Sequence, residues 1–348
     1  MNKQTHLSTD SITHSWCVRA IGAAIPLALV LLLAHGCKAP QAASDSPPVG
    51  GSGSRTSASP SPAPQATFDS AELAVDSLVS AARARDTEQL KKILGPQSED
   101  ILSSGDPVAD KNTLDTFLKA YDEKHQLVAG KEGSMTVVVG KSDWPMPIPL
   151  VQEGGKWRFD TEAGKEEILN RRIGRNELST IQTCLAILDA QREYVSHDRD
   201  ANGLCEYATR FISEPGKKNG LYWPTKENEP PSPLGPLAAA AAEEGYKPGQ
   251  PSNGSPRAYH GYRFHILTRQ GASAPGGAMD YMAGGKLIGG FAVVAWPADY
   301  GNSGIMTFIM DHDGIVYQRD LGDDTAKTAA SITAYDPGPE WKKAEPQK

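Results

Sequence analysis

The chain has 348 residues, 22% of them charged, and a formal net charge of −7. No basic block or stripe appears, which argues against nucleic acid as a partner and against attraction to anionic headgroups. An apolar content of 39% over this length suits two domains of ordinary size.

The N-terminus decides the compartment. Arg19 precedes an apolar run from Ala20 to Ala34, followed by His35, Gly36 and Cys37. A basic residue, a short apolar segment and small residues make a secretory signal over residues 1–36. The run falls short of the ~20 apolar residues of a spanning helix; an uncleaved anchor is the alternative. The stretch before Cys37 is similar to a bacterial lipobox, so Cys37 is the lipidation candidate. The expected location is the cell envelope, with a lipid anchor on the periplasmic side of a membrane, the outer membrane first. Loss of residues 1–36 removes Lys3, Arg19 and Asp10 and leaves a net charge of about −8. Of the four cysteines, Cys17 then departs and Cys37 carries lipid. Cys184 and Cys205 remain, in a compartment that permits disulfides. A bridge between them would contribute about 3 kcal/mol. A buried thiol at 184 with an incidental one at 205 is the competing reading.

Residues 37–66 are rich in Ser, Pro, Gly and Ala and lack the apolar content that offsets ordering entropy, so they read as a flexible tether. A domain is expected over 67–161. Ser70 caps a helix over 71–84. Asp86 starts a second over 87–94 that stops at Gly95-Pro96, and Asn112 or Thr113 opens a third. Strands follow at 135–139, 148–152 and 156–160, the last two joined by a Gly154-Gly155 turn. Helices before an antiparallel sheet make the fold class α+β. Asp143-Trp144-Pro145-Met146-Pro147-Ile148-Pro149 is extended and suited to a sheet edge or loop.

Residues 162–177 read as a charged helical connection. A second domain is expected over 178–340, with a tail at 341–348. Its main helix begins at Asn176-Glu177-Leu178 and ends near His197. Leu178, Ile181, Leu185, Leu188 and Val195 make one apolar stripe, expected to lie on a sheet. A small helix over 237–244 precedes strands at 262–267, 291–296, 306–310 and 315–319, the last pair joined across Asp311-His312-Asp313-Gly314.

The helix ending Ala82 to Leu90 and the hairpin Leu150 to Asp160 resemble the nuclear-transport-factor-2-like cone. That resemblance covers about 66–161 and implies a fold that encloses a small-molecule pocket or serves association. One long helix followed by an antiparallel sheet, over about 175–322, resembles the soluble part of pilins and pseudopilins. The pilin's transmembrane half-helix is absent, and a whole domain stands before the helix instead. Eight stretches carry a resemblance across nearly the whole mature chain: Ser103 to Asp110, Asp143 to Leu150, Arg171 to Leu178, Asp189 to Tyr194, Gly220 to Pro224, Tyr259 to Tyr262, Gly289 to Ala292 and Trp296 to Gly304. On these the chain resembles the bacterial domain-of-unknown-function family 2950. This implies an exported bacterial protein and no particular reaction.

Candidate chemistry is sparse. Asp198-Arg199-Asp200-Ala201-Asn202-Gly203 fits the first half of an EF-hand-type loop, with Asp198, Asp200, Asn202 and Glu206 as candidate calcium ligands. Thr209 stands where the bidentate Glu belongs, and an Asx-type turn is the competing reading. His260 and His265 are five apart on a strand, so they point to opposite faces and do not chelate one metal. No nucleophile elbow, zinc-binding His pair, phosphate loop or dinucleotide fingerprint is present. Trp144, Trp223 and Trp296, each followed by Pro, are a candidate partner surface, set against a reading as core plugs beside turns. The expectation is a non-catalytic envelope lipoprotein, a binding or assembly module with an envelope protein as partner and no cofactor beyond candidate calcium. The alternative is a small-ligand carrier or hydrolytic enzyme using a pocket in the N-terminal cone. Titratable groups in an enclosed pocket would favour that alternative; a filled cone beside an exposed apolar patch would favour the module.

Overall fold

The computed structural model describes residues 64–199, 201–247 and 258–344. The expected signal, Cys37, nearly all of the tether, Asp200 and the end of the tail lie outside the described residues. The described residues belong to a compact unit spanning Ser59–Lys348.

Local signals place the first elements. The Ser70 side chain accepts from the Leu73 amide and caps α1 (Ala71–Ala84). Asp86 accepts from the Gln89 amide and caps α2 (Thr87–Leu94). A 3-10 turn, Pro96–Ser98, leads into the short α3 (Glu99–Leu102). The next helix, α4 (Pro107–Glu123), starts earlier than the expected Asn112 or Thr113. Asp106 caps it through the amides of Val108 and Ala109, and Pro107 suits the first turn, where no amide is needed.

The first sheet contains β1 (His125–Ala129), β2 (Met135–Val139), β3 (Trp144–Pro145), β4 (Leu150–Glu153) and β5 (Lys156–Phe159). Its order is β1-β2-β4-β5, with β3 paired to β2. The unexpected strand, β1, has no clean burial alternation to betray it. Helices α1, α2 and α4 pack on this sheet. Leu78, Ile93, Val137, Ile148, Leu150 and Phe159 fill the core between them.

One helix, α5 (Thr161–Val195), replaces the expected connection and main helix. Its 35 residues extend about 50 Å at 1.5 Å per residue. It packs first on α3 and the turn before it, then on the second sheet. The buried face there is Thr180, Cys184, Ile187, Gln191 and Tyr194. The expected stripe is only partly covered: Leu188 is buried, Ile181, Leu185 and Val195 are half-buried, and Leu178 is 43% exposed. Gln191 explains why a polar face can go inward. Its amide donates to the Ala208 carbonyl and accepts from the Ala208 amide, both at 2.8 Å, as a neighbouring strand would.

After α6 (Gly235–Glu243) come β6 (Tyr262–Leu267), β7 (Arg269–Gln270), β8 (Met279–Asp280), β9 (Met282–Ala283) and β10 (Lys286–Leu287). Then follow β11 (Ala292–Pro297), β12 (Met306–Asp311), β13 (Val316–Asp320), α7 (Thr325–Ala330) and β14 (Lys342–Lys343). The second large sheet runs β14-β13-β12-β11-β6, antiparallel throughout. Every residue of β11 is buried, which accounts for its continuous apolar character. The expected Asp311–Gly314 hairpin joins β12 to β13.

Candidate functional site

Four stretches distant in sequence meet in one polar seam: 100–110, 172–177, 259–262 and 298–304. At its centre is Asp106, 1% exposed. One carboxylate oxygen caps α4. The other accepts from the Tyr246 hydroxyl at 2.8 Å and the Gly261 amide at 3.0 Å. Burial, and then the charge of Asp106, pushes the Tyr246 hydroxyl up from the ordinary phenol value. Gly261 has φ 74, and a Cβ there would meet the Asn176 amide nitrogen at 2.6 Å. Glycine is therefore required both by its left-handed backbone and by the close approach.

Arg172 fastens the seam from α5. It donates to the carbonyls of Asp100 and Ile101, both at 2.6 Å, and to the side-chain oxygen of Asn302. Burial lowers its pKa from the arginine value, opposed by Asp110 among other charges. Asn302 in turn donates to the Ser103 carbonyl at 2.8 Å and to Asp299 at 2.9 Å. Asn176 donates to the Ser303 carbonyl at 2.9 Å, and Glu177 accepts from the amides of Ile305 and Met306 at 3.0 Å. These groups are spent on one another. The arrangement clamps the α4 region, α5 and the second sheet together, as buried polar networks do when fully paired.

Beside the seam a cavity of about 550 Å3 opens between α5 and α6, with Leu178, Gln182, Ala186, Leu237, Tyr259 and His260 in its wall. His260 has φ 48, uncommon for a residue with a Cβ. It and Gly261 turn the chain into β6. The Nε2 atom of His260 lies 3.2 Å from a Glu244 carboxylate oxygen. Burial, then Glu244, pushes the Tyr259 hydroxyl up to about 12. Along and beside this cavity wall α5 leaves Arg175, Leu178, Gln182 and Asp189 exposed, with Leu185 and Ala186 half-buried.

The expected site residues are scattered. Asp198 accepts from the amides of Asn202 at 3.1 Å and Gly203 at 2.8 Å, and Asn202 accepts from the Leu204 amide. Glu206 pairs with Lys286 at 2.7 Å. Asp198 and Asn202 thus form an Asx-type turn and Glu206 belongs to an ion pair, while Asp200 lies outside the described residues. Among the described residues no group of three or more His, Cys, Asp or Glu is placed to hold a metal. His260 lies in the turn before β6, and His265 is exposed on the strand. Trp223 and Trp296 are 7% and 8% exposed. They are packing residues, which corrects their assignment to a partner surface. Trp144 remains, 41% exposed, with the Arg171 guanidinium 5.6 Å from its ring centre.

Cys184 and Cys205 are both free thiols, one buried and one exposed, so the candidate bridge is not formed. Burial pushes the Cys184 thiol up to about 12, and the thiolate is the reactive form. In the native protein a maleimide is therefore expected to label Cys205 and to reach Cys184 only after unfolding, as read by peptide mass. Labelling of Cys184 at the native rate of Cys205 would contradict this burial.

In the sequence Asp106, Arg172 and Asn302 stand only within longer stretches, and Asn176 and Glu177 only as a helix start; nothing there marks them as partners in a clamp. Asp106-Pro107 was the available signal, since an acidic cap before Pro opens a helix. The clamp itself is long-range. Among the described residues no helix is long and apolar enough to cross a membrane.

No curated protein and no solved structure matches the chain. A family model described as protein of unknown function, DUF2950, matches residues 65–344. That match covers well over half of the chain and takes in the α4 cap, the clamp and both large sheets, and the chain accordingly belongs to the DUF2950 family.

Proposed function

We propose that the chain is an exported envelope lipoprotein, held by lipid at Cys37 and spaced from the membrane by residues 37–66, and that it is a non-catalytic binding or assembly module. On this reading residues 67–161 form a domain like the nuclear-transport-factor-2 cone, and residues 178–340 a pilin-like one. The carrying observation is the outer face of α5, where Leu178 stands 43% exposed above a cavity walled by Leu237 and Tyr259. With the half-buried Leu185 and Ala186 on the same side of α5, Leu178 forms an apolar patch, and contiguous patches rather than single exposed residues mark interaction sites. The interior of the N-terminal half supports the same reading, because Val137, Ile148, Leu150 and Phe159 fill it. The groups of the seam favour holding over chemistry, since each is engaged by its neighbours.

The test is cross-linking of the lipidated protein in intact cells, with the captured proteins identified by mass spectrometry. The expected result is a discrete cross-linked product that is lost in Leu178→Glu, a change at an exposed position. A capture pattern indifferent to Leu178→Glu overturns the use of this face. Capture of nothing but the chain itself at native abundance counts against a different protein as partner.

A further inference from the structure

The outer face of α5 is patterned symmetrically about Gln182. Arg175 and Asp189 lie equally far on either side, as do Leu178 and Ala186, and Ser179 and Leu185. At 3.6 residues per turn these positions share one side of the helix, and steps of three and four from Arg175 through Leu178, Gln182 and Leu185 to Asp189 are those of a coiled-coil seam. Arg175, Gln182 and Asp189 are exposed. Among the described residues neither Arg175 nor Asp189 has an ion-pair partner, and the aliphatic groups between them are incompletely covered. A basic end, an apolar middle and an acidic end of equal spacing complement themselves when the direction is reversed.

We infer that this face is the interface of a homodimer in which two copies of α5 pack antiparallel across a two-fold axis at Gln182. The inference rests on the reading of the same face as an assembly surface and names its occupant as a second copy of this chain. Two-fold symmetry makes every contact occur twice. Arg175 meets the second copy's Asp189 at both ends, and Leu178 meets its Ala186. Leu185 of the second copy comes over Ser179, at the mouth of the cavity walled by Leu237 and Tyr259, and supplies the apolar filling the cavity lacks. Parallel packing in register would set Arg175 against Arg175 and Asp189 against Asp189, so the charges choose the antiparallel arrangement.

Sedimentation equilibrium of the full chain, from about 1 to about 100 µM, tests this with charge reversals. Wild type is expected to dimerise. Arg175→Asp and Asp189→Arg are each expected to weaken the dimer at least about tenfold. An equimolar mixture of the two variants is expected to recover it, because each interface then pairs opposite charges. Both positions are exposed, so the circular dichroism spectrum of each variant should match wild type, as should its Tm at a protein concentration low enough for all to be monomeric, which separates loss of association from loss of fold. A wild-type monomer at the highest concentration, a dimer indifferent to both reversals, or a mixture that stays monomeric overturns the inference. None of these touches the assembly reading itself, which the in-cell capture and its dependence on Leu178 decide separately.

Discussion

Asp106→Ala lowers the stability of the folded chain by about 3–5 kcal/mol, read as a lower denaturant midpoint at unchanged slope. The carboxylate is buried and faces four donors: the amides of Val108 and Ala109 in its own helix, the Tyr246 hydroxyl and the Gly261 amide. Hydrogen bonds to a charged group are worth more than neutral ones, and removing the acceptor strands buried donors that water cannot reach. Asp106→Asn is the milder change. Its oxygen still caps α4, but its NH2 confronts the Gly261 amide, so an intermediate loss is expected. Tyr246→Phe removes one donor and is expected to cost about 1–2 kcal/mol. Because Tyr246 and Asp106 share that bond, the double variant Asp106→Ala/Tyr246→Phe should cost less than the two separate losses together. An Asp106→Ala protein within about 0.5 kcal/mol of wild type would sink the view of the seam as a clamp.

What could be read in advance was what is local. Ser70 and Asp86 cap helices, and Gly154-Gly155 turns a hairpin with φ of 57° and 79°, because each of these acts within a few residues of itself. The start of α4 was missed although Asp106-Pro107 announces it. The continuity of α5 was missed because Gly174 and the charged run before it give no apolar period to follow. The helix is held there by Arg172, Asn176 and Glu177, whose partners are more than seventy residues away. The choice of inward face was also a tertiary decision. By hydrophobicity alone the stripe from Leu178 to Leu188 goes in, but Gln191 and Thr180 occupy the buried side, with Gln191 bonded to Ala208 and Thr180 to the Asn176 carbonyl. The tryptophans show the same limit, since Trp-Pro reads identically at the exposed Trp144 and the buried Trp296.

Phe159→Ala is expected to destabilise by about 3–5 kcal/mol, the loss for emptying a fully buried aromatic site, and to do so in a single transition that reports from both halves. Phe159 is fully buried in the first core and Phe308 in the second. Two separate cores would ordinarily allow two transitions. Here α5 packs against elements of both, and Asp106, Arg172 and Asn302 bond across the seam. Unfolding the first half alone would leave the Gly261 amide without its acceptor and cut Arg172 off from Asp100 and Ile101. The penalty for a half-unfolded state is therefore comparable to the loss at Phe159 itself, and the partly folded species should stay sparsely populated. Fluorescence can follow each half, with Trp157 packed against the first core and Trp223 and Trp296 within the second. Phe159→Ala and Phe308→Ala should each shift one common midpoint. In the Asp106→Ala background the clamp is weakened, and Phe159→Ala should then split the curve, with the first half melting earlier. A split already present with the clamp intact would mean that the seam contributes contact without coupling.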